Sequence, residues 1–163
     1  MILATVMTAA AMPLRAQKLS AAVDGAWLAS GMFNGGVELT IGRSTTLTVS
    51  MLAAQHPWVH HDISGLAVQP ELRRYLSGRP MYKLFVGLGA IAAGYDMTLD
   101  KGHYQGSAIG AGLTFGYVLP LALRWNLDLH SGFGLIHTED RHQGNQNFTI
   151  PTKVGIAVSY IIM

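Results

Sequence analysis

The sequence predicts an all-β protein, an eight-stranded antiparallel up-and-down transmembrane β-barrel. Three observations carry that expectation. Apolar and polar residues alternate in run after run from residue 19 onward, and a period of two marks a strand with one apolar face. The connections between runs alternate between short and long, as in membrane barrels with tight turns at one end and larger loops at the other. Aromatic residues of one parity gather at a common level, where a membrane interface holds such rings.

The eight runs are 19–29, 35–42, 45–53, 66–75, 81–94, 104–118, 122–135 and 152–162. The first has the thinnest apolar face. In the second, Val37, Leu39 and Ile41 oppose Glu38, Thr40 and Gly42; in the third, Leu47, Val49 and Met51 oppose Thr46, Thr48 and Ser50. The fourth sets Val68, Pro70 and Leu72 against Gln69, Glu71 and Arg73, and the fifth opens with Tyr82 outward and Lys83 inward. In the sixth, Ile109, Ala111, Leu113, Phe115 and Tyr117 oppose a nearly bare row of Ala108, Gly110, Gly112, Thr114 and Gly116. The seventh sets Trp125, Leu127 and Leu129 against Asn126, Asp128 and His130. The eighth sets Val154, Ile156, Val158, Tyr160 and Ile162 against Lys153, Gly155, Ala157 and Ser159. This last strand must pair with the first, because an open edge in lipid leaves backbone donors unsatisfied. Pro70 removes a ladder donor from a sheet that has no edge, so a bulge or a missing hydrogen bond is expected there.

Alternation alone does not say which face is inside. A lipocalin-like soluble barrel would turn the apolar rows inward around a ligand, and a membrane barrel turns them outward. The polar rows are small and glycine-rich with a few charges, which suits a narrow interior and makes a poor soluble exterior. The short connections at 43–44, 77–79 and 119–120 oppose long ones at 54–65, 95–103 and 136–151. With the first strand rising from the periplasm, Tyr82, Tyr117, Trp125 and Tyr160 form a lower aromatic girdle, with Trp27 and Phe133 as candidates for an upper one. Tyr75 lies at the lower level with the opposite parity and is left out of that girdle.

Composition supports the membrane reading. Charged residues make up 12% of 163, against about 25% in ordinary soluble domains. The longest apolar stretch, residues 1–14, is shorter than the roughly 20 residues of a spanning helix. Followed by Arg15-Ala16-Gln17, it predicts a secretory signal peptide over 1–17, start-truncated because a charged n-region is lacking, with a short buried helix as the other reading. The barrel domain is then 18–163. The absence of cysteine excludes disulfides and thiolate chemistry. A net charge of +2 without a lysine–arginine run argues against a nucleic-acid partner.

Three stretches also carry a resemblance: Leu66-Ala-Val-Gln-Pro-Glu-Leu-Arg-Arg-Tyr75, Tyr104-Gln-Gly-Ser-Ala-Ile-Gly-Ala-Gly-Leu-Thr-Phe-Gly-Tyr117 and Pro151-Thr-Lys-Val-Gly-Ile-Ala-Val-Ser-Tyr160. In this order they resemble the recurring segments of a family of small, uncharacterised outer-membrane barrels from gut and oral Gram-negative anaerobes. The resemblance runs from about Leu19 to the C-terminus. It implies an OmpA- or OmpX-like barrel in the bacterial outer membrane, sometimes encoded near fimbrial genes, and no activity.

The inward parity collects Asp24, Glu38, Glu71, Arg73, Lys83, Asp128, His130 and Lys153. Paired carboxylates beside a histidine are also the parts of acid–base machinery. Charges inside a narrow barrel must pair in any case, because an unpaired buried charge is costly. A salt-bridge plug therefore accounts for the set without a substrate. Eight strands leave room only for side chains, so a plugged lumen would not conduct. A lipid-modifying hydrolase would need a nucleophile, base and orienting group together. Ser131 has the opposite parity to His130, and neither Ser107 nor Ser159 has an evident histidine in reach.

The remaining candidates are loop histidines. His56, His60 and His61 beside Asp62 supply imidazole and carboxylate, which suit zinc, nickel or copper. Adjacent histidines in a loop are not a preformed site, so a polar loop is the favoured reading and no metal or cofactor is expected. The chain is expected to be a monomeric outer-membrane protein in contact with lipid. Its role would be structural or interactive through its outer loops, with a surface or fimbria-associated protein as a partner. A small porin and a lipid-modifying enzyme are the alternatives.

Overall fold

The computed structural model describes residues 18–55, 57, 63–99, 102–140 and 144–163, so the expected signal segment lies outside the described residues. Eight strands follow in order: β1 (Leu19–Asp24), β2 (Phe33–Thr40), β3 (Thr45–Gln55), β4 (Ile63–Tyr75), β5 (Lys83–Leu99), β6 (Gly102–Pro120), β7 (Trp125–Asp140) and β8 (Gly144–Ile161). One short helix, α1 (Gly25–Ala29), follows β1. Each strand pairs antiparallel with its sequence neighbours, and β8 pairs with β1 to close the barrel. At that seam Ser20 faces Ile161 and Asp24 faces Ala157. The Ile162 amide donates to the Leu19 carbonyl at 2.8 Å, extending the seam to the chain end.

The polarity of the barrel is inverted relative to a soluble one. Leu47, Val49 and Met51 on β3, Leu84, Val86 and Leu88 on β5, Leu113 and Phe115 on β6, and Ile156 and Val158 on β8 all face outward and are exposed. The alternate positions, including Thr46, Glu71, Arg73, Asn126 and Asp128, are buried in the lumen. No helix among the described residues is long and apolar enough to cross a membrane.

Four local departures from the sequence reading have physical causes. The first strand is shorter than 19–29. Asp24 ends it by capping α1, its Oδ1 accepting from the Ala26 and Trp27 amides at 2.9 and 3.2 Å, in the way of an N-cap. The connections expected as loops at 95–103 and 136–151 are mostly strand. Tyr95 pairs with Gly106 and Leu99 with Gly102, and Ile136 pairs with Phe148 and Asp140 with Gly144. In these segments the outward row turns polar, with Asp96 and Thr98 on β5 and His137 and Glu139 on β7, so the apolar face seen lower on each strand ends while the ladder continues. The third long connection is also shorter than 54–65, because β3 runs to Gln55 and β4 starts at Ile63. At the opposite end, β6 continues through Pro120 and turns at 121–124, where the Leu121 amide donates to the Trp125 carbonyl at 2.8 Å.

The ladder is irregular at both prolines inside the barrel wall. β4 pairs with β5 at Val68 and again at Glu71 in unchanged register, skipping Gln69 and Pro70. That is the interruption expected at a residue without an N–H. On β8 the register shifts by one: Lys153 pairs with Gly132 and Pro151 with Phe133, leaving Thr152 as the extra residue of a bulge. The bulge aims the Thr152 carbonyl into the lumen, where Gln69 Nε2 donates to it at 3.1 Å.

Candidate functional site

The lumen holds one connected set of charges centred on Arg73. Its guanidinium lies 2.6 Å from Asp128 Oδ2, 3.0 Å from Glu71 Oε1 and 3.5 Å from Glu38 Oε2. Its plane covers the Phe85 ring with 4.3 Å to the centroid. Lys153 Nζ meets Glu71 Oε2 at 2.8 Å, and Thr114 donates to the other Glu71 oxygen. Glu38 Oε1 accepts from Tyr75 at 2.7 Å and Thr46 at 2.6 Å. His130 stands between two carboxylates, Nδ1 at 3.3 Å from Asp128 and Nε2 at 3.5 Å from Asp24.

The strands bring these groups together because their register puts them at one height. Thr46 faces Arg73, Thr48 faces Glu71, and Asp24 and Asp128 both face Ala157 from opposite sides of β8. The bare row noted on β6 has counterparts on β5 and β8, and together they make the space. A Cβ on Gly87 would overlap Thr114 Oγ1 and come within 2.8 Å of Glu71 Oε1, and one on Gly116 would strike the Phe85 ring at 2.6 Å. A Cβ on Gly155 would overlap Asp24 and approach His130. The charges thus fill the volume that glycine leaves open.

Of the residues expected in the lumen, Asp24, Glu38, Glu71, Arg73, Asp128, His130 and Lys153 all join this set. Lys83 does not. Met81 and Lys83 both have positive φ, 57° and 60°, so the chain enters β5 twisted out of the alternating pattern. Lys83 is exposed and stands over the Tyr82 ring at 5.2 Å. The inward place passes to Phe85, which packs with Tyr75 and Val118 in a small apolar cluster below Arg73. Tyr75, Thr46 and Thr114 were missed as members of the network. Tyr75 shares the inward parity of Glu71 and Arg73, which is the signal that would have placed it.

At the short-turn end Tyr117 and Trp125 face outward and exposed, with Tyr82 and Tyr160 half-buried. Trp125 and Tyr160 face each other in register with ring centroids 4.9 Å apart. Basic groups are interleaved with the rings: Arg124 donates to the Tyr160 hydroxyl at 3.3 Å, and Arg79 lies 5.2 Å from the Tyr82 ring. Phe133 faces outward higher on β7. Trp27 stands on α1 rather than on a strand, and it lines the lumen. The candidate metal ligands His56, His60 and His61 lie outside the described residues, among which no cluster suited to a metal ion occurs.

Residues 1–162 match the model of the family described as Protein of unknown function (DUF3575). The chain belongs to this family. Comparison with curated proteins and with solved structures gives no match. This DUF3575 member is therefore an eight-stranded antiparallel barrel with a buried salt-bridge interior. The network makes a direct prediction for it. Glu71→Ala should destabilise the barrel by about 3 kcal/mol, because Arg73 and Lys153 lose a shared buried partner. Urea unfolding in detergent, followed by circular dichroism, measures this; an unshifted midpoint would mean that Glu71 carries no buried pairing.

Proposed function

We propose that this DUF3575 protein is a monomeric outer-membrane barrel, closed by its ion pairs, that acts as a structural or interaction protein at the cell surface. The inverted polarity carries this reading: an apolar exterior needs a nonpolar solvent, and the charges are sequestered inside. The ring of tyrosine, tryptophan and basic residues at the short-turn end suits an interface with phospholipid headgroups. That end then faces the periplasm. The paired ribbons at the other end stand outside, where they offer contact to a surface or fimbria-associated partner.

Two further functions fit less well. The ion pairs stand inside an eight-stranded lumen that has room only for side chains, which favours a closed barrel over a porin. Both ring nitrogens of His130 face carboxylates and Ser131 lies on the opposite face, so His130 is not set to activate that hydroxyl as a nucleophile. Cysteine labelling tests the orientation. Thr98 is exposed at the tip of the β5–β6 ribbon and Leu123 is exposed in a short turn. On intact cells a thiol reagent that does not cross the outer membrane should label Thr98→Cys and spare Leu123→Cys. The opposite pattern would invert the barrel and remove the surface role.

A further inference from the structure

The barrel wall is not made of strand at every height. β1 pairs with β8 only as far as Asp24 opposite Ala157, while β8 runs on to Gly144. On its other side β1 pairs with β2 only as far as Gly36, while β2 begins at Phe33. Beyond Asp24 a notch is therefore left between β2 and β8. Asn34 finishes the β1–β2 ladder with its side chain, accepting from the Asp24 amide at 2.6 Å and donating to the Asp24 carbonyl at 2.8 Å. The notch itself is filled by α1, which lies against both β2 and β8. It is a light closure. None of the helix residues is buried, and among the described residues no hydrogen bond joins the helix to β8.

Behind α1 the lumen opens into a cavity of about 390 Å³, within the range of small-molecule sites. Trp27 of α1 lines it together with Ala22, Leu52, Ala67, Ile91 and Ile136, so its walls are largely apolar. The paired charges around Arg73 form its floor. The outer side of the notch is apolar as well: Val23, Leu28, Phe33 and Val154 around it are all exposed. One short helix thus separates an apolar cavity from the outward apolar rows. An empty apolar cavity forfeits dispersion contacts, and a flexible hydrocarbon chain restores them without needing hydrogen bonds. We propose that the notch between β2 and β8 is a lateral entry, covered by α1, through which one hydrocarbon chain of a membrane lipid enters this cavity tail first. The lipid headgroup stays with the bilayer, and the ion pairs, whose charges are engaged with each other, limit the depth the chain reaches. The inference rests on the membrane placement proposed above.

The test places the full barrel in phosphatidylcholine vesicles containing a phospholipid with a photoreactive diazirine at the end of one acyl chain. Labelled residues are mapped by mass spectrometry after illumination. Leu52 and Ile91 in the cavity should be labelled, together with Leu88 on the outward row of β5. A second phospholipid, with the diazirine beside the chain carbonyl, should leave Ile91 unlabelled, because the chain enters by its tail. Ala67→Phe and, from the opposite wall, Ala22→Phe fill the cavity. Each should abolish the labelling of Leu52 and Ile91 while that of Leu88 stays unchanged. Heat-modifiable gel mobility checks that each variant is folded. Label on Leu88 without label on Leu52 or Ile91 in the folded parent would overturn the lateral entry and leave the membrane placement standing. Label on Ile91 that persists in a folded cavity-filling variant would overturn it too. An unlabelled Leu88 would remove lipid from around the barrel, and the entry with it.

Discussion

Arg73→Ala should lower the unfolding free energy of the barrel by about 3–5 kcal/mol, the cost of leaving buried carboxylates without their cation. Three of them depend on it: Asp128 at 2.6 Å, Glu71 at 3.0 Å and Glu38 at 3.5 Å. Among the described residues, only Glu71 of these keeps a second permanent cation, Lys153. The substitution also uncovers the Phe85 ring, over which the guanidinium lies. Arg73→Lys should rescue only part of the loss, because an ammonium cannot reproduce a planar fork that reaches several acceptors at once. Denaturant titration in lipid or detergent, with the native and unfolded forms resolved by gel mobility, measures both variants. Equal midpoints for Arg73→Ala and the parent would mean that the network is not what holds the interior together.

Leu88→Arg should be nearly as damaging in a bilayer, and this variant separates a membrane barrel from any other. Leu88 is 60% exposed and faces Leu72 and Leu113 in the sheet, in the middle of the outward apolar rows. At such a depth in lipid, arginine costs about 2–4 kcal/mol. In water the same exposed substitution would change stability by no more than about 0.5 kcal/mol. Thr98→Arg, on the ribbon beyond the apolar rows, is the matched control and should be neutral. Equilibrium folding into lipid vesicles gives the comparison, and a neutral Leu88→Arg would remove lipid from around the barrel.

Most of the barrel was legible because an apolar exterior and a crowded polar lumen impose opposite demands on alternate residues. Strands such as β3, β6 and β8 therefore announce both their existence and their facing. The parts that were not legible lie where one demand lapses. Above the apolar rows the outward positions turn polar, at Asp96 and Thr98 and at His137 and Glu139, so these segments read as loop although their ladders continue. At Asp24 a single side chain converts strand to helix by accepting two amide protons, and the Trp27 assigned to an outer girdle turns up against the cavity. At Lys83, two residues with positive φ rotate the strand entry, which parity counting cannot register. Within the network, what the sequence left unsaid was the neutral company of the charges. Tyr75, Thr46 and Thr114 look like ordinary strand residues until Glu38 and Glu71 need donors.

The seam between β1 and β8 has a consequence for how the chain matures. Across this seam Ser20 pairs with Ile161, and the lumen partners Asp24 and His130 also meet across a long stretch of chain. Hairpins can form early, because their contacts are local, but cylinder closure must await the arrival of β8. Until then the sheet has two raw edges and an uncovered apolar side, a combination prone to mispairing. Contacts so distant along the sequence also make closure slow relative to hairpin formation. Closure of the sheet therefore hangs on residues 157–161, which make every pair of the seam, and trimming them would leave β1 with an open edge.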